Sequence, residues 1–206
     1  MMQAFFKSLE INNFVLYNKK NLLKEFKMSV VFESDIKENV LIRTAEKMMT
    51  AARTAPKAKG IDNLVIALAE GETINELSGK LKELAKSGNG PEYFVRDAEN
   101  ILNSYAIVLI GTKIKPVGLK YCGYCGFKDC EEKLEHPDIP CALNTGDLGI
   151  AVGSAASVAM DERVDNRIMH SVGIAAIDLN LLGDGTKLAY GIPLYIGPKN
   201  VFFDRK

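Results

Sequence analysis

Four cysteines lie close together in the chain, with the spacing C-x2-C-x4-C-x10-C. They are Cys122, Cys125, Cys130 and Cys141, and the chain of 206 residues has no other cysteine. A free cysteine usually behaves as a small buried hydrophobic residue. Four thiols in one segment rich in glycine and proline instead indicate ligands for a metal ion or an iron–sulfur cluster.

Disulfides are a third use for such thiols, and the sequence argues against them. The N-terminus is apolar in patches, but Lys7, Glu10 and Lys19 interrupt it and no small-residue cleavage site follows. This pattern is not that of a secretory signal peptide. We therefore expect a cytoplasmic protein, and disulfides are rare in that compartment.

The spacing also separates zinc from an iron–sulfur cluster. Structural zinc prefers two close cysteine pairs, and only Cys122 and Cys125 form such a pair. Three cysteines followed by a remote fourth are more typical of a [4Fe–4S] site. Gly123 and Gly126 allow the loop to curl, so that backbone N–H groups can face the sulfur atoms. The sequence thus predicts a [4Fe–4S] cluster, with zinc as the alternative.

The overall composition is that of a globular protein. Hydrophobic residues make up 47% of the chain and charged residues 25%, and the formal net charge is zero. This balance argues against a nucleic-acid partner, which needs an excess of Lys and Arg. No apolar run is long enough to cross a membrane, so we expect no membrane partner either.

Helical and strand patterns alternate along the chain, which predicts a sheet covered by helices and an α+β or α/β fold. Thr73 and Glu76 have the spacing of a helix capping box, and Pro56 disfavours helix at the residue before it. The predicted elements are a helix from Asp35 to the region of Pro56, a strand at 63–69, a helix after Thr73, a helix at 92–104, a strand at 105–111, a helix from Asp147, a helix at 165–182 and a strand at 187–196.

The elements suggest three regions. Residues 1–34 form an N-terminal extension, and residues 35–206 form the main domain. Within that domain, residues 116–145 lack regular periodicity and contain all four cysteines. We interpret them as a small iron–sulfur insert.

Four further stretches resemble the nitroreductase-type flavoprotein fold. They are AARTAPKAKGIDNLVIAL, YFVRDAENILNSYAIVLIGTK, SVGIAAIDLNLLG and YGIPLYIG with its tail FFDRK. Together with the cysteines, they resemble a family of uncharacterised prokaryotic proteins that contain a ferredoxin domain, over residues 35–206. The resemblance implies an α+β fold with a nitroreductase-like central sheet, flanked by helices and carrying the cysteine-rich insert.

The same resemblance implies a homodimer with FMN at its interface. Arg96 matches a basic residue near the flavin pyrimidine edge, where a cation stabilises the negative charge of reduced flavin. Arg205 falls near the C-terminal basic residues that reach the flavin phosphate. The implied flavin-binding residues are Arg53, Pro56, Lys57, Lys59, Arg96 and Arg205.

Simpler interpretations exist for most of these residues. The cations after the first helix can cap its C-terminal end without any ligand. Arg96 can pair with acidic neighbours on its own helix, and Asp165 can cap the following helix. His136 is interpreted as part of an exposed turn and His170 as a structural residue.

These observations predict an iron–sulfur flavoprotein that acts in electron transfer or reduction, with an FMN-dependent oxidoreductase as one form of that function. The [4Fe–4S] cluster would exchange electrons with FMN. The alternative is a non-catalytic protein that binds structural zinc or acts as a ferredoxin-like carrier and has lost its flavin. The absence of an Arg-x-Ser-x-Arg motif at residues 24–29 favours this alternative.

Overall fold

The computed structural model describes residues 30–203 of the chain. Of these, residues 37–203 group into one compact unit. The α-helices and strands of the described residues, numbered in chain order, are α1 (Glu33–Thr54), β1 (Leu64–Glu70), α2 (Glu72–Lys86), α3 (Tyr93–Ile101), β2 (Ala106–Lys113), α4 (Cys130–Leu134), α5 (Ala142–Asp161), β3 (Asp165–Asn166), α6 (His170–Asp178) and β4 (Thr186–Tyr195). No helix in this described part is both long enough and apolar enough to cross a membrane.

The strands form one antiparallel sheet in the order β1-β2-β4-β3. β2 lies in the middle, with Val108 opposite Leu68 of β1 and Ile192 of β4. All of β2 except its last residue, Lys113, is buried. A fully buried central strand explains its continuous apolar sequence. The α+β prediction is therefore confirmed.

Successive side chains of a strand point to opposite faces of its sheet. In β2, Ala106, Val108 and Ile110 face a core that α1 and α5 complete. Ile107 and Leu109 face a second core that α2, α3 and α6 complete. The compact unit therefore has three layers, with helices on both faces of one sheet.

Helix α6 approaches β4 unusually closely. A Cβ atom on Gly173 would lie 1.9 Å from the carbonyl oxygen of Ala189, and one on Gly191 would lie 2.3 Å from a methyl group of Val172. These two glycines allow the helix backbone and the strand to touch. The contact fixes the position of the N-terminal end of α6.

Strands are found where the apolar runs predicted them, whereas several helix ends differ. The prediction of a capping box at Thr73 and Glu76 was wrong, because α2 begins one residue earlier, at Glu72. The preceding residue, Gly71, has a φ angle of 54°, which is not helical. The helix predicted from Asp147 begins five positions earlier, at Ala142. Residues 165–182 do not form one helix. Asp165 belongs to β3 and pairs with Tyr195 of β4, so it does not cap a helix.

The cysteine segment has no apolar core of its own. Between β2 and α5, residues 114–140 bury only Val117 and Lys133. The regular element here is α4, one short helix at Cys130–Leu134. The carboxylate of Asp129 caps α4 by accepting N–H bonds from Glu131 and Glu132, at 3.0 and 2.9 Å. The predicted insert boundaries, 116 and 145, stay a prediction, and most of the predicted extension, residues 1–29, lies outside the described residues.

Candidate functional site

The four cysteines lie along one connection between β2 and α5. Cys141 is buried at the N-cap of α5, and the other three are half-buried. All four are free thiols. Across residues 30–203, no three His, Cys, Asp or Glu side chains are arranged around a common metal position. The assignment of Cys122, Cys125, Cys130 and Cys141 as ligands therefore stays a prediction.

The backbone around the first two cysteines is curled as the sequence predicts. Gly123 and Gly126 have φ angles of 73° and 87°, in the left-handed region that favours glycine. The N–H group of Gly126 donates to the carbonyl oxygen of Gly123 at 3.0 Å. Cys122 directly precedes this tight turn and Cys125 lies within it.

Two buried polar side chains in the described part of this region, Lys133 and Asn144, lack a complete set of partners: one has no opposite charge beside it and the other has a free N–H donor. Lys133 is 1% exposed, and its ammonium donates to the carbonyl oxygen of His136 at 2.8 Å. Asn144 is also 1% exposed; its Oδ1 accepts the N–H of Lys115 at 2.9 Å, while its Nδ2 has no partner among the described residues. A donor set of four thiols with a buried cation and a spare N–H group fits an anionic thiolate-bound metal group.

Lys57, one of the predicted flavin-binding residues, binds the C-terminal end of the preceding helix, α1, with its side chain. Its ammonium donates to the carbonyl oxygens of Ala52, Arg53 and Ala55 at the C-terminal end of α1. Cations are stabilised by the partial negative charge of unpaired carbonyls at that end. Lys57 thus has the capping role that the simpler interpretation gave it.

Arg53 is held by Asp62, with Nη1 2.6 Å from Oδ2, and also donates to the carbonyl oxygen of Leu64. Burial of the Asp62 carboxyl raises its pKa. The Arg53 hydrogen bond, the N–H of Leu64 and the charges of Arg53 and Lys57 outweigh that influence, so the pKa is lowered below its ordinary value of 3.8. Asp62 is therefore the ionised partner of both cations at neutral pH.

Pro56 lies two residues after the end of α1, in the connection to β1, and this connection contacts the cysteine segment. The side chain of Lys59 donates to the carbonyl oxygens of Val117 and Gly118, at 3.4 and 3.3 Å. Both carboxylate oxygens of Asp147, on α5, accept the N–H of Ala58. This connection therefore ties the end of α1 to both ends of the cysteine segment.

Arg96 lies in a polar cavity of about 280 Å³ between α3 and the start of α6. Its guanidinium pairs with Asp97 at 2.7 Å, and Asp97 accepts a second bond from Ser171 at 2.6 Å. Asp97 is 4% exposed, so the ion pair is anchored from the protein interior. The simpler interpretation, in which Arg96 pairs with an acidic neighbour on its helix, is correct, and the pair also lines a cavity.

Residues around this cavity include several that the sequence did not single out as a site. Arg167 donates to the carbonyl oxygen of Phe202 at 2.6 Å and lies over the ring of Phe203. The hydroxyl of Tyr93 is 3.0 Å from Nε2 of His170. Arg167 is about seventy positions from α3 in the sequence, and only the fold brings it beside that helix.

A larger and mainly apolar cavity of about 570 Å³ adjoins the first. It lies between α5, α6 and β4, and both cavities are lined by Ile168 and His170. Leu148, Ile174 and Tyr190 contribute apolar surface to it. A polar cavity beside an apolar one is the usual composition of a small-molecule site.

The predicted flavin-binding cations fall into two groups on opposite faces of the sheet. Arg53, Lys57 and Lys59 lie at or just after the end of α1, whose core is on one face, and Arg96 lies on α3, whose core is on the other. Arg205 lies outside the described residues. Within residues 30–203, the structure therefore does not bring Arg96 together with the cations at the end of α1 in one chain.

The fold is that of the nitroreductase-like flavoproteins. A nitroreductase with bound FMN from Desulfitobacterium hafniense aligns over 76% of this chain and 78% of its own, with a TM-score of 0.55 and 11% identity. Nitroreductase CinD from Lactococcus lactis, in complex with nicotinic acid, aligns over 83% and 82%, with a TM-score of 0.53 and 14% identity. An oxidoreductase containing FMN aligns over 76% and 67%, with a TM-score of 0.53 and 14% identity.

Sequence comparison identifies the protein family of the chain. An uncharacterised protein from Archaeoglobus fulgidus is 39% identical over 181 residues, which are 84% of this chain and 96% of that protein. Residues 138–205 match the family described as an uncharacterized protein containing a ferredoxin domain. The chain belongs to this family, and the resemblance seen in the sequence is confirmed.

Proposed function

We propose that this protein is an iron–sulfur flavoprotein that acts in electron transfer or reduction. The observation that carries the proposal is a set of four thiols confined to a segment without its own core, on a fold shared with proteins that contain FMN. A [4Fe–4S] cluster would supply single-electron transfer and FMN would couple it to two-electron chemistry. The family's ferredoxin domain supports the same redox role.

The cysteine segment needs an additional source of stability. Residues 114–140 bury only two residues, so apolar burial contributes little to holding the segment in one conformation. Small units of this kind often depend on a bound metal for their structure. Cys122, Cys125, Cys130 and Cys141 are the proposed ligands. Cys141 is the N-cap of the 20-residue helix α5, so one proposed ligand is held by a regular element of the main fold.

The polar cavity is the proposed place for the flavin's pyrimidine edge. Ser171 bonds Asp97, and Asp97 bonds the Arg96 guanidinium, so the N–H donors of Arg96 are oriented at the cavity wall before any ligand binds. The adjoining apolar cavity offers a surface for an aromatic ring system. The chain's own contribution would be to orient the ring and stabilise its reduced, anionic form.

A homodimer would explain why the predicted flavin-binding cations lie on opposite faces of the sheet. In a two-fold dimer, each residue of one protomer can meet a different surface of its partner. Arg96 of one protomer and Arg53 of its partner could then contact the same flavin. This arrangement agrees with the position of FMN at the dimer interface that the nitroreductase resemblance implies.

Anaerobic purification tests the proposal. We expect a brown protein with flavin absorption bands, about four iron atoms and four acid-labile sulfides per chain, and little zinc. Cys130→Ser should bleach the cluster and leave FMN bound, whereas Tyr124→Phe, at a 78% exposed position of the same loop, should keep both. A protein with neither flavin nor labile sulfide would contradict the proposal.

The alternative is a metal-binding protein without flavin, and one observation favours it. Arg53 and Lys57, two of the proposed flavin-binding cations, are already engaged by Asp62 and by the carbonyls of α1. In this form, four thiols around zinc would stabilise the segment without redox chemistry. A colourless protein with one zinc per chain would identify it, and a cluster without flavin would identify a ferredoxin-like carrier.

A further inference from the structure

We infer that Lys133 and Asn144 set the reduction potential of the proposed cluster by stabilising its more negatively charged, reduced state. The inference rests on the proposed function, because it requires a cluster bound by the cysteines. Neither residue is a ligand. Each acts through electrostatics, Lys133 as a buried positive charge and Asn144 as a buried hydrogen-bond donor.

Lys133 lies on the same face of α4 as Cys130. Residues three apart on a helix are neighbours, with Cβ atoms about 5–6 Å apart. Cys130 and Lys133 are also the two positions of α4 that are not exposed: Glu131, Glu132 and Leu134 between and after them face solvent. A thiol and an ammonium therefore share the one sheltered face of this helix.

The ammonium of Lys133 lacks a counter-charge. Within the described residues its partner is the neutral carbonyl oxygen of His136, and no carboxylate pairs with it. Burial of an unpaired charge is costly, and proteins compensate it with an opposite charge. A cluster held by four thiolates is anionic, and its ligand Cys130 is the sheltered neighbour of Lys133. The cluster is therefore the counter-charge that this lysine requires.

Asn144 lies close in the helix to a second proposed ligand, Cys141, as Lys133 does to Cys130. Cys141 is the N-cap of α5, and Asn144 is the third residue of that helix, the position from which a side chain can reach back to the N-cap. The N–H of Lys115 binds Oδ1 of Asn144 and thereby fixes the orientation of the amide. Its Nδ2 is buried and has no described partner. An unsatisfied buried donor is rare in native proteins, and a thiolate sulfur at Cys141 supplies the missing acceptor.

Both interactions favour the reduced state. Reduction adds one electron from a one-electron donor and breaks no bond, so the group becomes more negative by one charge. A nearby cation and a hydrogen bond to a sulfur stabilise that added charge, and such interactions help to determine cluster potentials. Removal of either one should therefore shift the potential to a more negative value.

The test is a redox titration of the cluster, followed by electron paramagnetic resonance with dithionite as the reductant, in the full-length protein. Lys133→Met removes the buried charge. Asn144→Asp keeps an oxygen for the Lys115 N–H but replaces the donor. Both variants should have more negative midpoint potentials than the wild type. The matched controls Lys128→Met and Asn103→Asp, at exposed positions, make the same changes of charge and should keep the wild-type potential.

The outcomes separate this inference from the proposed function. Wild-type protein without iron and sulfide would overturn the proposed function itself. A loaded wild type whose potential is unchanged by Lys133→Met and Asn144→Asp would overturn only the inference. If these variants do not retain a cluster, iron and sulfide are measured in Lys133→Arg against Lys133→Gln, and in Asn144→Gln against Asn144→Leu. The variants that keep the charge or the donor, Lys133→Arg and Asn144→Gln, should then contain more iron and sulfide than the variants they are compared with. Equal iron and sulfide content within each pair would overturn the inference.

Discussion

Asp62 is the residue whose ionisation is most clearly tied to its neighbours. Its pKa is lowered, so its contribution to stability is fully present above its unfolded-state pKa of 3.8 and is lost as pH falls through the lower folded-state pKa. The carboxylate is 32% exposed, which limits its pairing with Arg53 to about 0.2–1 kcal/mol. We expect Asp62→Asn to lower the free energy of unfolding by this amount at pH 7.

Urea denaturation of the wild type and of Asp62→Asn, followed from pH 7 down to about pH 3, checks this expectation. The difference between the two proteins should shrink in the acidic range, because protonation of Asp62 removes the same charge as the substitution. Asn103→Asp, an exposed change of the opposite sign, serves as a control. A difference that grows on acidification would contradict the assigned ion pair.

Single residues differed in how readily the sequence showed their roles. The cysteines could be proposed as ligands from the sequence, because their spacing alone separates them from scattered core residues. Lys133 and Asn144 could not be proposed from the sequence, since their proposed effect depends on being 1% exposed, and burial of a polar side chain is set by tertiary packing. Asn144 also required the correct start of α5, which places it one turn from Cys141.

At the level of elements, the strands were easier to predict than the helix ends. β1, β2 and β4 contain long apolar runs because both sheet faces are covered, and such runs are visible in a sequence. The start of α5 was missed because a cysteine, which is not among the preferred N-cap residues, occupies the N-cap. The region of β3 was predicted as helix because its pairing with β4 depends on residues about thirty positions later.

The close contact between α6 and β4 gives a prediction at this level. Gly173→Ala should destabilise the protein by roughly 1–3 kcal/mol, because its Cβ would lie 1.9 Å from the backbone oxygen of Ala189 and the helix must move away. Gly79→Ala, in the open middle of α2, should instead stabilise it by roughly 0.5–1 kcal/mol, since alanine favours the helix. Thermal and urea denaturation measure both changes. Equal effects of the two substitutions would contradict the packing of α6 on β4.

A consequence of this packing reaches the candidate site. The first residue of α6, His170, lines both cavities, and Ser171 holds Asp97 in place for Arg96. A shift of α6 away from β4 therefore displaces the groups that form the polar cavity. We expect Gly173→Ala to weaken flavin binding as well as stability, whereas Gly79→Ala leaves flavin binding unchanged.

The whole molecule places candidate flavin-binding residues on both faces of a sheet. The sequence could suggest each residue but not this separation, because the faces follow from the strand order β1-β2-β4-β3 and from the helix that covers each face. A single flavin that uses both sets then needs two copies of the chain. This requirement can be tested without knowing the interface in advance.

Arg53→Met and Arg96→Met are the two variants for this test, and each alone should bind FMN poorly. If each flavin is contacted by Arg96 of one protomer and Arg53 of its partner, a mixed dimer has one site with both arginines and one site with neither. Random exchange of protomers makes half of the dimers mixed, so about a quarter of all sites should recover. Bound FMN is measured by fluorescence after free flavin is removed, with each unmixed variant as the control. No recovery on mixing, once subunit exchange has been verified, would show that the two arginines do not meet across a dimer.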